Sequence, residues 1–340
     1  MSKNEKDPQV AGSEAHARSR GARLLVVGGG IAAVVVMVVA LVAAGGAPER
    51  APDGLLGAGL PLSWAVPGFR LVADGAAIWV AGAALTGAWL LPATALKVCQ
   101  DAAIVAGVWA VASIGGLVAS AVVILGIPLS HLGEHAAIAG GLTQVRALAV
   151  VVALTAVLAV VLSGVRTVRG ARVALGLTAV ALIPPLLTGH GAIERTSIWS
   201  VTATASLVLH VFAATAWIGG LAGVLRYARD RAAVERFSTL ALGCAIAIGS
   251  TGLLTAEIHL GGRADGWALI TQWVTTGYGA LVFAKAVAFA ALVYIGWRHR
   301  RSTLPRLSTG NPAAFRRLAA TELILMAATV GLAVALSRTP

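Results

Sequence analysis

The sequence predicts an all-α, polytopic transmembrane helix bundle, and three observations carry that reading. Of 340 residues, 58 % are hydrophobic and only 12 % are charged, about half the charge a soluble domain uses to cover its surface. Mean hydropathy is +0.86. Apolar runs recur along the chain, each about 20 residues and so long enough to cross a hydrocarbon core roughly 30 Å thick. In lipid, backbone groups must be satisfied inside helices or a closed barrel. The runs are continuous rather than alternating, so helices are expected.

Spans are expected near 24–44, 73–92, 103–127, 146–165, 173–189, 200–225, 237–259, 276–297 and 316–337. Residues 1–23 are polar and basic and read as a disordered cytoplasmic tail. The first apolar run, 24–44, follows that basic tail and ends in AAGGA, as a signal peptide would. Its length exceeds a cleaved core, so it is expected to be retained as the first transmembrane helix. Residues 45–199 then form an N-terminal membrane module of four helices, opening on a Gly- and Pro-rich outer loop at 45–72. Residues 200–340 form a second module of four.

The two modules share a weak repeat. DGAAIWVAGAAL (74–85) and FAATAWIGGLAG (212–223) have a common Trp-[Val/Ile]-x-Gly core, and 146–169 aligns with 279–302. Four helices followed by four keep the same orientation, so the repeats would be parallel, about an axis along the membrane normal. The alternative is that Ala- and Val-rich spans align by composition alone.

The location of charge explains the net +12. With the N-terminus inside, the cytoplasmic segments collect nineteen of the 26 Lys and Arg residues, which is the positive-inside pattern. It accounts for the basic balance without nucleic acid. Trp199, Trp267 and Trp273 fall at the outer interface. Cys99 and Cys244 lie on different elements and imply no disulfide framework. Gly28–Gly30 follow no strand, so they are not a nucleotide loop. No Walker or Gly-x-Ser-x-Gly sequence is present, and the role read here is binding or transport, not catalysis.

Polar residues inside spans carry the functional information, because lipid penalises them. His210 lies about ten residues below the outer end of its span, roughly 15 Å deep. Trp217 is two turns on, and Gly219, Gly220 and Gly223 follow as packing residues, Gly219 and Gly223 forming a small-xxx-small pair for close helix approach. Taken alone, His210 reads either as a hydrogen-bonded core histidine or as a ligand. His190 ends the fifth span after Pro184 and Pro185, and His259 ends the seventh, two residues after Glu257. His131 and His135, weaker candidates, sit in the loop after the third span. Five of seven histidines thus map to the outer half, which suits copper or, alternatively, a haem b iron. Lys285 and Glu322, on neighbouring antiparallel spans, are expected to form an intramembrane ion pair. Asp74, near the outer end of the second span, is expected to cap that helix.

Four blocks in order resemble the copper resistance protein D (CopD) family. They are LHVFAATAWIGGLAGVL, ERFSTLALGCAIAIGSTGLLTA, TTGYGALVFAKAVAFAALVYIGWRHRR and FRRLAATELILMAATVGLAVALSRTP. The matching positions are His210, Trp217, Gly219, Gly220, Phe237, Ser238, Gly252, Tyr278, Gly279, Lys285 and Glu322; Ala280 stands where the family often has Arg. The resemblance is firm over 200–340 and loose over 73–199. It implies a bacterial plasma (inner) membrane protein, N-terminus cytoplasmic, that takes copper from the outer side for import, resistance or oxidase metallation. His210 would be the buried ligand, with His190, His259 and Glu257 at the mouth. Expected partners are the lipid bilayer and a periplasmic copper carrier or a cytochrome c oxidase assembly module, fused after such chains in actinobacteria, whose composition this sequence resembles. The chain ends at SRTP, where such a module would begin, and reads either as a stand-alone form or as a fragment. The rival readings are a b-type haem redox protein and a metal-free oxidase assembly scaffold.

Overall fold

A computed structural model describes residues 8–50, 57–91, 95–188, 198–227, 231–260, 266–298, 301 and 312–339. Regular structure among the described residues is helical throughout. In chain order the helices are α1 (Pro8–Ala43), α2 (Leu60–Leu85), α3 (Ala95–Leu125), α4 (Ala136–Gly141), α5 (Thr143–Gly164) and α6 (Val168–Leu186). They are followed by α7 (Ile198–Tyr227), α8 (Arg231–Leu260), α9 (Gly266–Thr275), α10 (Gly277–Arg298) and α11 (Pro312–Leu336). Among the described residues nine helices are long and apolar enough to cross a membrane; the short α4 and α9 are the two that are not. The spans alternate in direction. The end of the bundle where α1 begins is called the tail end below, and the opposite end the far end.

Two boundaries differ from the sequence expectation. Helix α1 is described from Pro8, so most of the basic segment expected to be disordered continues the first span. Its Ala, Glu and Arg residues favour helix, and extending an existing helix avoids the cost of a new nucleus. Helix α2 starts at Leu60, within the stretch expected to be loop. Gly59, at φ 78, ends the preceding segment, and a proline in the first turn opens the helix, where its missing N–H costs nothing. Asp74 is therefore well inside α2 rather than at its cap, and its carboxylate accepts from Arg70 Nε at 3.1 Å, one turn back. Helix α2 ends in a π-turn, Thr86–Leu90.

Helices α2, α3, α5 and α6 enclose one core, built around Val80, Ala84, Ala102, Trp109, Leu158 and Ala174. Helices α7, α8, α10 and α11 surround a second, with Trp217, Phe237, Cys244, Leu292 and Met326. Helix α1 lies along α11, where Met37, Ala40 and Leu41 cluster with Val334 and Ala335. The outward faces are apolar, as lipid contact requires; Ile104 and Val160 are 77 % and 71 % exposed.

The two cores are joined where α2 and α7 cross in parallel. These are the helices aligned by the Trp-[Val/Ile]-x-Gly repeat. A Cβ added at Gly219 would sit 2.8 Å from both Cα and N of Gly82, and one at Gly223 would strike the Thr86 hydroxyl. Small residues at this spacing let two backbones approach closely. Thr86 Oγ1 donates to the Gly82 carbonyl at 2.6 Å, so its hydroxyl is satisfied within α2. Gly220 faces the other way, onto the Phe237 ring of α8. At the tail end a polar cluster ties α7 to α3 as well as to α2. Tyr227 donates to Asp101 Oδ2 at 2.7 Å, Arg226 pairs with the same oxygen at 3.4 Å, and the Arg226 guanidinium lies 5.8 Å from the Trp79 ring centre.

Candidate metal-binding seam

His210 lies ten residues into the α7 span that begins at Ser200, roughly 15 Å from the far end. Helix α8 runs antiparallel beside it, and the two present matching polar columns. On α7 the residues at four-residue spacing are Thr202, Ser206 and His210; on α8 they are Thr251, Thr255 and His259. Residues four apart share one helix face, so each column runs from the His210 level toward the far end.

The columns meet through hydrogen bonds. His210 Nδ1 is 3.0 Å from Thr251 Oγ1. Ser206 Oγ donates to the Thr251 carbonyl at 3.3 Å and lies 3.5 Å from Thr255 Oγ1. Ser206 and Thr251 are each only 6 % exposed. Thr251 Oγ1 also donates within its own helix, to the Ala247 carbonyl at 2.5 Å. Gly252 faces the imidazole at this level: a Cβ there would be in ordinary contact, 3.6 Å from His210 Cε1.

Below the imidazole the seam closes with apolar packing. Trp217 is 5 % exposed and meets Phe289 of α10 edge-on, ring centres 6.4 Å apart. Phe289 also covers Gly249 of α8. Cys244 of α8 lies two turns from Thr251 on the same face and, with Met326 of α11, belongs to the cluster around Trp217. One turn from Phe289, Lys285 is within electrostatic reach of His210.

The sequence candidates separate as follows. Among the described residues, no three His, Cys, Asp or Glu side chains gather where they could hold a metal ion. His190 lies outside the described residues, and so does the side chain of His259. Glu257 is exposed; it is two residues from Thr255, about 200° around the helix, and so off the seam. His131 and His135 do not share a helix. His131 ends a 3₁₀ turn and His135 precedes α4, its Nδ1–H donating to the His131 carbonyl at 3.0 Å. The ion pairs between described residues join Arg70 to Asp74, Arg226 to Asp101 and Arg231 to Glu235; Lys285–Glu322 is not one of them. Lys285, eight residues from the far end of α10, and His210, ten residues into the described part of its span, lie at similar depth.

Sequence reasoning missed Ser206, Thr251 and Thr255. The signal that was present is the four-residue spacing that ends, on each helix, in a histidine.

Residues 231–336 match the family model of Copper resistance protein D, CopD. The match makes this C-terminal segment similar to the CopD family. The CopD-matching segment spans α8 to α11 and so contributes the Thr251 side of the seam, Lys285 and Glu322. Helix α7, with His210 and Trp217, precedes it and packs against it. The family is one of copper resistance membrane proteins, which agrees with the nine apolar spans. Comparisons with curated proteins and with solved structures give no match.

Proposed function

We propose that this chain binds copper at the α7–α8 seam, taking it from the far end for import, resistance or oxidase metallation. One observation carries the reading: a half-buried imidazole, hydrogen-bonded across two helices, stands at the foot of a hydroxyl-lined column in a largely apolar module. Intramembrane residues of this kind mark ion pathways. An imidazole nitrogen is a good copper ligand, whereas serine and threonine hydroxyls are hard and weak ones. Such a column would conduct an ion toward His210 rather than store it. His259, in register at the head of the α8 column, and His190 would supply ligands at the mouth. Cys244 and Met326, softer donors, lie on the tail-end side of His210 and are suited to the next step inward.

The far end is the outer face in this reading, because the positive-inside pattern puts the basic segments at the tail end. The N-terminus is then cytoplasmic, the membrane is the bacterial plasma membrane, and a periplasmic copper carrier or an oxidase assembly module would meet the far end. The test is copper stoichiometry and absorbance of purified wild type and His210→Ala. The wild type should bind copper and the variant should lose it. Copper content unchanged in the variant removes His210 as a ligand, and a Soret band in the wild type would favour haem instead.

A further inference from the structure

We infer that Thr251 is a positioning residue, holding His210 as the Nδ1–H tautomer and leaving Nε2 as the ring nitrogen that takes the metal. The identity of that metal rests on the copper reading above; the tautomer does not.

The inference follows from counting protons. A threonine hydroxyl has one proton and two lone pairs. Thr251 Oγ1 lies 2.5 Å from the Ala247 carbonyl oxygen, a separation two oxygens tolerate only with a proton between them. That proton is therefore committed to the α8 backbone. Toward His210 the hydroxyl offers lone pairs alone, so the 3.0 Å contact to Nδ1 requires the proton to be on Nδ1. The Ile248 carbonyl, 3.3 Å from the same hydroxyl, also faces the ring, and a carbonyl can only accept. With Nδ1–H fixed, Nε2 keeps its lone pair. Metal-binding histidines are commonly held this way, the other ring nitrogen donating to a neighbour. Ser206 braces the arrangement by donating to the Thr251 carbonyl from the other helix.

The experiment uses the full-length protein with ¹⁵N-labelled histidine, metal-free and then titrated with copper ions against a chelator of known affinity. Wild type should show His210 protonated at Nδ1, assigned by the signal missing in His210→Ala. Copper should then shift the Nε2 resonance. Thr251→Val should lose the Nδ1–H bias and bind copper about tenfold more weakly, while Thr251→Ser, which keeps the hydroxyl, should behave as wild type. Protonation at Nε2 in the wild type overturns the proposal, and that spectrum needs no Thr251 variant to fold. Wild-type affinity in Thr251→Val, with copper lost in His210→Ala, overturns the positioning role and leaves the copper reading standing. An Nδ1–H wild type that binds no copper overturns the ligand role of Nε2 and the copper reading together.

Discussion

Alanine at Gly219 should be among the most damaging single methyl additions at the described glycines. The added Cβ would meet the Ile78 carbonyl oxygen and the Cα and N of Gly82, the last two at 2.8 Å, where ordinary contact begins at 3.4 Å. All three obstacles are backbone. No rotamer change relieves them, so α2 and α7 must separate along the joint between the two cores. Overpacking of this kind costs about 1–3 kcal/mol, or about 5- to 150-fold in the folding equilibrium. Three glycines serve as references. Gly220→Ala meets the Phe237 ring at 3.0 Å, a side chain that can turn, and should cost less. Gly243 and Gly296 have nothing within 4 Å, and alanine there should be neutral or stabilise by up to about 1 kcal/mol through helix propensity. The assay is SDS-induced unfolding in mixed micelles, followed by tryptophan fluorescence. The reasoning fails if Gly219→Ala unfolds at the same SDS fraction as Gly243→Ala. It also fails if Gly219→Ala and Gly82→Ala are additive, because variants that force apart the same pair of backbones share one cost.

Three other outcomes are expected. Trp217→Ala should cost about 3–5 kcal/mol, since the side chain is buried and loses its edge contact with Phe289; Trp217→Phe, in the same unfolding assay, should cost clearly less. Tyr227→Phe removes the 2.7 Å bond to Asp101 and should cost about 1 kcal/mol, while Asp101→Ala should cost less in that background than in wild type; strict additivity would mean that the tail-end cluster does not act as a unit. Lys285→Met removes an amine within electrostatic reach of His210, and chelator competition should show copper held several-fold more tightly, since a protonated amine there repels the ion. Weaker copper binding in Lys285→Met would show that the lysine supports the site instead of opposing the ion.

The fold was legible because lipid imposes one strong requirement, an unbroken apolar run of sufficient length. The boundaries were harder, because Gly59, Pro61 and Pro67 look alike whether a helix is starting or a loop continuing. His210 stood out for the same reason the spans did: an imidazole is costly in lipid. Ser206 and Thr251 did not stand out, because a hydroxyl that can donate to a carbonyl costs little there and is common in spans. Only pairing α7 with α8 gives their spacing meaning. The Lys285–Glu322 expectation rested on opposite charge, adjacent antiparallel helices and a lysine long enough to lean toward the glutamate. Where Gly219 and Gly223 would pack was not written in α7 at all, since the surface they meet belongs to α2 of the other module.

The direction in which the seam hydroxyls spend their protons sets its electrical character. Thr251 gives its proton to Ala247, and Ser206 gives its own to the Thr251 carbonyl. Each oxygen is left with lone pairs and no hydrogen to offer. At these two positions the seam is one-signed without a carboxylate: a positive ion beside them meets oxygen lone pairs, and an anion of the same size meets no hydroxyl proton. Because no fixed negative charge is involved, the preference persists at acid pH, where a carboxylate would have been silenced.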